Sequence, residues 1–197
     1  MKSNSIARIV GALVTMMLAG GAMAQVISGP IFNPSNDHTY YLLAPSTWTT
    51  AETEAEALGG HLATVRNSAE DAWIYSTFST FGGQNRNLFI GLTTGNADGS
   101  VLSNYYWIDG ETASYRNWYG PQPAESIEHY TQIIGPGNFA SSGWNNISDV
   151  SSAGYSGTTV LPNDGVVEVV PEPACGVILI AGFAAFVVRQ RLYRTVA

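Results

Sequence analysis

Cysteine is almost missing from this chain of 197 residues: Cys175 is the single one. One thiol cannot close an intrachain disulfide, so any folded domain has to hold by packing alone. A cysteine-based metal cluster is excluded for the same reason. The three histidines, His38, His61 and His129, stand apart and show no zinc-ligand spacing. Basic residues are nearly as scarce. Between residues 25 and 173 only Arg66, Arg86 and Arg116 are basic, against fifteen acidic side chains, a net charge of −12. That deficit excludes nucleic acid, which is bound through Lys and Arg against phosphate. It equally disfavours an anionic membrane surface. No phosphate-cradling glycine loop and no nucleophile–base–acid set is evident, which argues against an enzyme.

The two ends read as addresses. A basic start, an apolar run from Ile9 to Leu18 and the small-residue exit Ala22-Met23-Ala24 form a secretory signal with cleavage expected after Ala24. At the other end Val170-Pro171-Glu172-Pro173 breaks the chain. Ala174 to Val188 is uncharged and apolar, and Arg189, Arg191 and Arg194 follow. Fifteen apolar residues fall short of the ~20 of an ordinary spanning helix. The basic end marks the cytoplasmic side. This three-part order resembles the PEP-CTERM sorting signal of Gram-negative bacteria. The resemblance implies that an exosortase in the inner membrane recognises Pro171, Glu172 and Pro173 and removes the tail. Signal peptidase would act at the other end. The product would be transiently anchored in the inner membrane, then placed at the cell surface or in the extracellular matrix.

What remains is residues 25–173, enough for one domain with a sizeable core. Residues 25–37 carry Pro, Asn and Ser and read as an irregular extension before a domain spanning 38–170. His38 to Ala44 predicts a first strand. A helix follows over about 47–58, capped by Ser46, with Trp48, Ala51, Ala55 and Leu58 on its apolar face and Glu52 and Glu56 outside it. Gly59-Gly60 stop it. Asn67 with Glu70, or Ser68 with Asp71, opens a second helix to about Phe81, with Ala69, Ala72, Trp73 and 75–78 as its apolar face. Further strands are predicted at 88–92, 105–108, 130–134, 143–147 and 166–170. A strand, two helices and then only strands indicate an α+β domain.

The stretch from Trp107 to Asn146 is the most distinctive. It holds Trp107, Trp118 and Trp144, several turn glycines and prolines, and the acids Asp109, Glu111, Glu125 and Glu128. Such a segment suits an ordered loop that holds a site, and its oxygens without sulfur are what a hard cation such as Ca²⁺ takes. A surface loop with aromatic anchors and solvated acids fits the same residues.

The order of motifs resembles the C-type lectin-like domain over nearly the whole of 38–169. Trp48-x-x-Ala51-x-x-x-Ala55 and Gly59-Gly60-His61-Leu62-Ala63 match its first helix and exit. Phe89-Ile90-Gly91-Leu92 matches its Trp-Ile-Gly-Leu strand. Trp107-x-Asp109-Gly110, Asn117-Trp118, Gln122-Pro123 and Gly143-Trp144-Asn145-Asn146 follow its long loop. The fold so implied has two helices and a small, mostly antiparallel sheet. The family's four usual cysteines fall on Ala55, Tyr130, Asp149 and Val167. For the sugar and calcium site the resemblance implies Gln122 before a cis Pro123, then Glu128, Asn145 and Asn146. Ala124 offers no oxygen where one is expected, and Asn146 is neutral where Asp is usual. The implied site keeps one negative charge, at Glu128, and any calcium would bind weakly. The tryptophans are expected in the core, with Tyr119 and Tyr115 left exposed to stack on a ligand. The implied partner is a glycan or extracellular polysaccharide. A surface or matrix protein, bound without calcium, is the alternative.

Overall fold

The computed structural model describes residues 25–138, 142–154 and 159–171. The cleavage site at Ala24, the tail residues Glu172 and Pro173, and the apolar run 174–188 lie outside these. Among the described residues no helix is long and apolar enough to cross a membrane.

The strands are β1 (Val26–Asn33), β2 (His38–Pro45), β3 (His61–Leu62), β4 (Asn87–Thr93), β5 (Tyr106–Trp107), β6 (Tyr130–Ile133), β7 (Trp144–Ile147), β8 (Ser152–Ala153) and β9 (Leu161–Val169). The helices are α1 (Trp48–Ala57) and α2 (Ser68–Phe78). The sheet runs β1-β2-β9-β4-β6-β7, antiparallel throughout except for the parallel pair β4–β9. β4 is buried at every residue, as a continuous apolar run at the centre of a sheet should be. Gly91 is required in it, because a Cβ there would lie 2.3 Å from the Leu62 carbonyl oxygen of β3. The α+β class, the two helices and the strand order thus agree with the sequence.

Four expectations are corrected. Residues 26–33 are not irregular but form β1, an edge strand registered on β2 with Asn33 opposite His38. Its pattern is interrupted by two register shifts, so no clean alternation marks it in sequence. The cap of α1 is Thr47 rather than Ser46, its hydroxyl accepting from Thr50 N at 3.3 Å. Glu52 lies inside, not outside, on α1: Oε2 accepts from Leu62 N at 2.9 Å and Oε1 pairs with His61 Nδ1 at 2.5 Å. α2 buries Glu70, Asp71, Ile74 and Phe78, while Ala69 and Ala72 face solvent. Its inward side mixes acids with apolar residues, which erases the periodic signal on which a helix face is normally read.

Those acids are inside because each has partners. Glu168 on β9 accepts from Tyr40 OH at 2.9 Å, Arg66 Nη1 at 2.7 Å and Thr64 N at 3.0 Å, and pairs with His38. Glu70 takes Tyr40 OH and Arg66 Nη1, both at 2.8 Å. The Arg66 guanidinium therefore ties α2 to β9, and the Tyr40 hydroxyl ties β2 to both. Arg86 pairs with Asp164 at 2.7 Å, yet burial outweighs this cation and pushes the Asp164 carboxyl up to about 6.

Packing occupies the positions of the missing disulfides. Ala55 and Val167 share one apolar cluster with Trp48 and Phe89. Tyr130 stacks on Trp48 with ring centroids 4.7 Å apart. Asp149 accepts from Thr49 N at 3.0 Å and Thr49 Oγ1 at 2.6 Å, at the start of α1. A carboxylate there meets the unpaired N–H groups and positive end of the helix.

Candidate functional site

The long connection between β5 and β6 is built on aromatic rings. Trp107 and Trp144 are buried and meet edge to face with centroids 6.0 Å apart, and Tyr115 and Trp118 pack against Trp144 in the same manner. The backbone of the loop is held to β7: Trp144 N donates to Asn117 O at 2.7 Å, and Tyr119 N donates to Trp144 O at 2.8 Å. Beneath lies Asp71. It accepts from Trp144 Nε1 at 3.0 Å, Asn117 Nδ2 at 2.7 Å and Tyr115 OH at 3.1 Å. Burial raises its carboxyl above the usual range, and these three donors oppose the shift. Sequence reasoning placed Asp71 only as a helix cap. The signal it carried was an acid beside Glu70 at helical spacing from Ile74 and Phe78, the apolar residues that α2 buries.

The tip of the loop is organised around Asn146, which is fully buried. Its Oδ1 accepts from Ala124 N at 3.2 Å. Its Nδ2 donates to Glu125 O at 3.0 Å, Glu128 O at 3.2 Å and Gly99 O at 3.4 Å. Three carbonyls on one side and an N–H on the other decide which end of the amide is nitrogen. Gly99 must be glycine, since a Cβ would come within 2.0 Å of Glu128 O. Asn145 is buried as well, and its Nδ2 donates to Asn146 O at 2.5 Å.

The remaining predicted residues sit on this tip. The Gln122–Pro123 bond is cis. Gln122 Oε1 is shielded from solvent with no hydrogen-bond partner. Burial and the neighbouring Glu125 push the Glu128 carboxyl up to about 7. Two expectations are corrected here. Tyr115 is engaged with Asp71 and Trp144 rather than exposed, and Tyr119 is half-buried, its Cβ lying where a side chain on Gly143 would go.

The other titratable clusters are structural ties. His38 and His61 each pair with a buried glutamate, and His129 Nδ1 lies 3.1 Å from Thr94 Oγ1, so the histidines do have partners. Glu52, Glu56 and His61 gather their ligand-capable atoms within 4.8 Å of one another. Both Glu52 oxygens are already committed to Leu62 N and His61.

Residues 44–155 match the family model described as Lectin C-type domain. The chain belongs to the C-type lectin family. Among curated proteins it is 32% identical over 101 residues to the galactose-specific lectin nattectin of Thalassophryne nattereri, a match covering 50% of this chain and 58% of that one. It thus spans little more than half the length of that relative. Among solved structures it resembles the C-type lectin CEL-I of Cucumaria echinata with a TM-score of 0.53 at 20% identity, covering 77% of this chain and 99% of that one. It also resembles a calcium-independent type II antifreeze protein with a TM-score of 0.51 at 18% identity, covering 73% and 94%. These likenesses establish the fold.

C-type lectin domains often hold Ca²⁺, and the donors here can be tested against it. Gln122 Oε1 is an orphaned acceptor, and Glu128 is an acid in a desolvated place without a cation beside it; both would welcome one. Asn146 would not. It presents a donor to the carbonyl cage, and its oxygen is engaged by Ala124 N. Ala124 adds nothing, and Asn145 offers only its neutral amide oxygen, its nitrogen being spent on Asn146 O. Three side chains that can offer an acceptor, carrying one charge between them, fall short of the 6–8 oxygens calcium takes. The set fits the ion poorly.

Proposed function

We propose that this lectin-family domain is an exported binding module that recognises hydroxyl groups of a glycan or extracellular polysaccharide through the tip of its long loop, without calcium. The observation that carries this is the shielded, unpartnered Gln122 Oε1 on the same loop as the desolvated Glu128. A buried acceptor without a donor costs free energy until a ligand supplies one. Sugar hydroxyls are donors, and a site built to meet them discriminates strongly against ligands lacking them. The similarity to a galactose-specific lectin, and the Gln-Pro order at 122–123, make galactose-type sugars the first class to try. No bond is made or broken in this reading.

A second reading, protein or matrix adhesion, is favoured by Ile127, which is 73% exposed between Glu125 and Glu128. An apolar side chain offers no hydrogen bond to a sugar hydroxyl, whereas burying it against protein is favourable.

Export, cell-surface or matrix placement in a Gram-negative bacterium, and processing by signal peptidase and exosortase belong to the same proposal. They rest on the sequence ends around Ala24 and Pro171-Glu172-Pro173.

Calorimetric titration of the protein with galactose, mannose and a galactan, in EDTA, tests the binding. Binding in EDTA that disappears in Gln122→Ala and Glu128→Gln supports the glycan reading. No heat with any of them, together with surface adhesion lost in Ile127→Ser, selects the adhesive reading.

A further inference from the structure

We infer that the side-chain amide of Asn146 takes the place of a bound cation at the loop tip, so that the loop is closed by a group of the chain itself and needs no divalent metal.

Three backbone carbonyls, from Gly99, Glu125 and Glu128, converge on one point from two separate loops. Converging carbonyl oxygens repel one another, and something positive has to sit among them. A hard cation with its own oxygen shell is one solution. Here the Nδ2 group occupies that point, 3.0 to 3.4 Å from each oxygen. Its two protons carry partial positive charge, shared among three acceptors. The other end of the same amide holds Ala124 N at 3.2 Å, next to Pro123. One planar group thus joins the loop at 99, the turn at 124–128 and strand β7. It does so from a site with no solvent exposure, where a hydrogen bond meets no competition from water.

An aspartate at 146 would be the wrong group for this cage. It has the same shape and could still accept from Ala124 N, but it would turn a carboxylate oxygen toward the three carbonyls. The Tyr105 hydroxyl donates to Gly99 O at 2.8 Å and reaches Glu128 O only at 3.5 Å, with its single proton already used, so relieving the added repulsion takes a cation. The chain therefore stands one side-chain atom away from metal dependence: Asn146→Asp should make closure of the tip depend on calcium, where the wild type is indifferent to it. This holds whatever the loop binds, and its test needs no glycan.

The full-length protein is followed by amide hydrogen exchange at Ala124 and by thermal melting, in EDTA and then with millimolar calcium chloride as the probe. In the wild type the Ala124 amide is expected to be protected in EDTA, with neither protection nor Tm changed by calcium. In Asn146→Asp, protection in EDTA should fall by on the order of tenfold or more, and calcium should restore it. Wild-type Ala124 that exchanges freely in EDTA and becomes protected with calcium overturns the inference. So does an N146D protein that keeps wild-type protection in EDTA, or one that loses it and is not rescued by calcium. If N146D does not fold in either condition, the wild-type exchange measurement decides alone.

Discussion

Trp144 Nε1 donates to Asp71 Oδ1 at 3.0 Å, joining the strand under the long loop to the second helix. The partner is a carboxylate that also holds Asn117 and Tyr115, so one acid positions three residues of the loop platform. The loop keeps its shape through this contact rather than through a disulfide.

Replacing Asp71 with Ala leaves three donors without an acceptor in a buried place. The expected loss is roughly 3–5 kcal/mol, the cost of breaking one side of a buried charged network. Urea melts of the two proteins measure it, and Asp71→Asn, which keeps one acceptor oxygen, should fall between. A loss below about 1 kcal/mol would mean that water replaces the carboxylate and the platform is open.

Trp107 is 1% exposed, its Nε1 donates to Ala113 O at 2.9 Å, and the Arg116 guanidinium lies 5.2 Å from the centre of its ring. Trp107→Ala should cost roughly 3–5 kcal/mol through the cavity and the lost contacts. That is a large share of the stability of an ordinary domain. Chemical denaturation of the variant gives the number directly, and a near-neutral result would place the ring outside the core.

The pH dependence follows from Glu128. Burial pushes its carboxyl from 4.5 up to about 7, so the folded chain keeps this proton to a higher pH than the unfolded chain. Between those values the native state binds more protons, and stability falls as pH rises through the window. Asp164, raised to about 6, acts in the same direction. Comparison with Glu128→Gln isolates the first group. The advantage of E128Q over wild type in urea midpoint should grow from about pH 4.5 to about pH 7 and then level off. A difference independent of pH would show that the Glu128 carboxyl is well solvated.

The processing proposal is tested by intact mass. Protein recovered from its native envelope should begin at Gln25 and lack the segment 174–197. A recovered mass that still includes Arg194 would show that the tail is kept.

Much of the fold was legible in the residues. The helix pattern at Trp48, Ala51 and Ala55, the strand Phe89-Ile90-Gly91-Leu92 and the loop motif from Trp107 to Trp144 depend on local periodicity and turn chemistry, which neighbouring residues determine. The absence of cysteine from the domain and the charge of −12 likewise followed from composition. The cis bond at Gln122–Pro123 was legible too, through the loop motif. What the tertiary structure decided was direction and partnership. Glu52, Glu70 and Asp71 point inward because donors from β3, β2, the long loop and β7 arrive from 10 to 73 residues away, and no local pattern encodes those arrivals. Asn146 reads in sequence as a weakened calcium ligand. Only the convergence of three carbonyls from two distant loops makes its nitrogen, rather than its oxygen, the atom that matters.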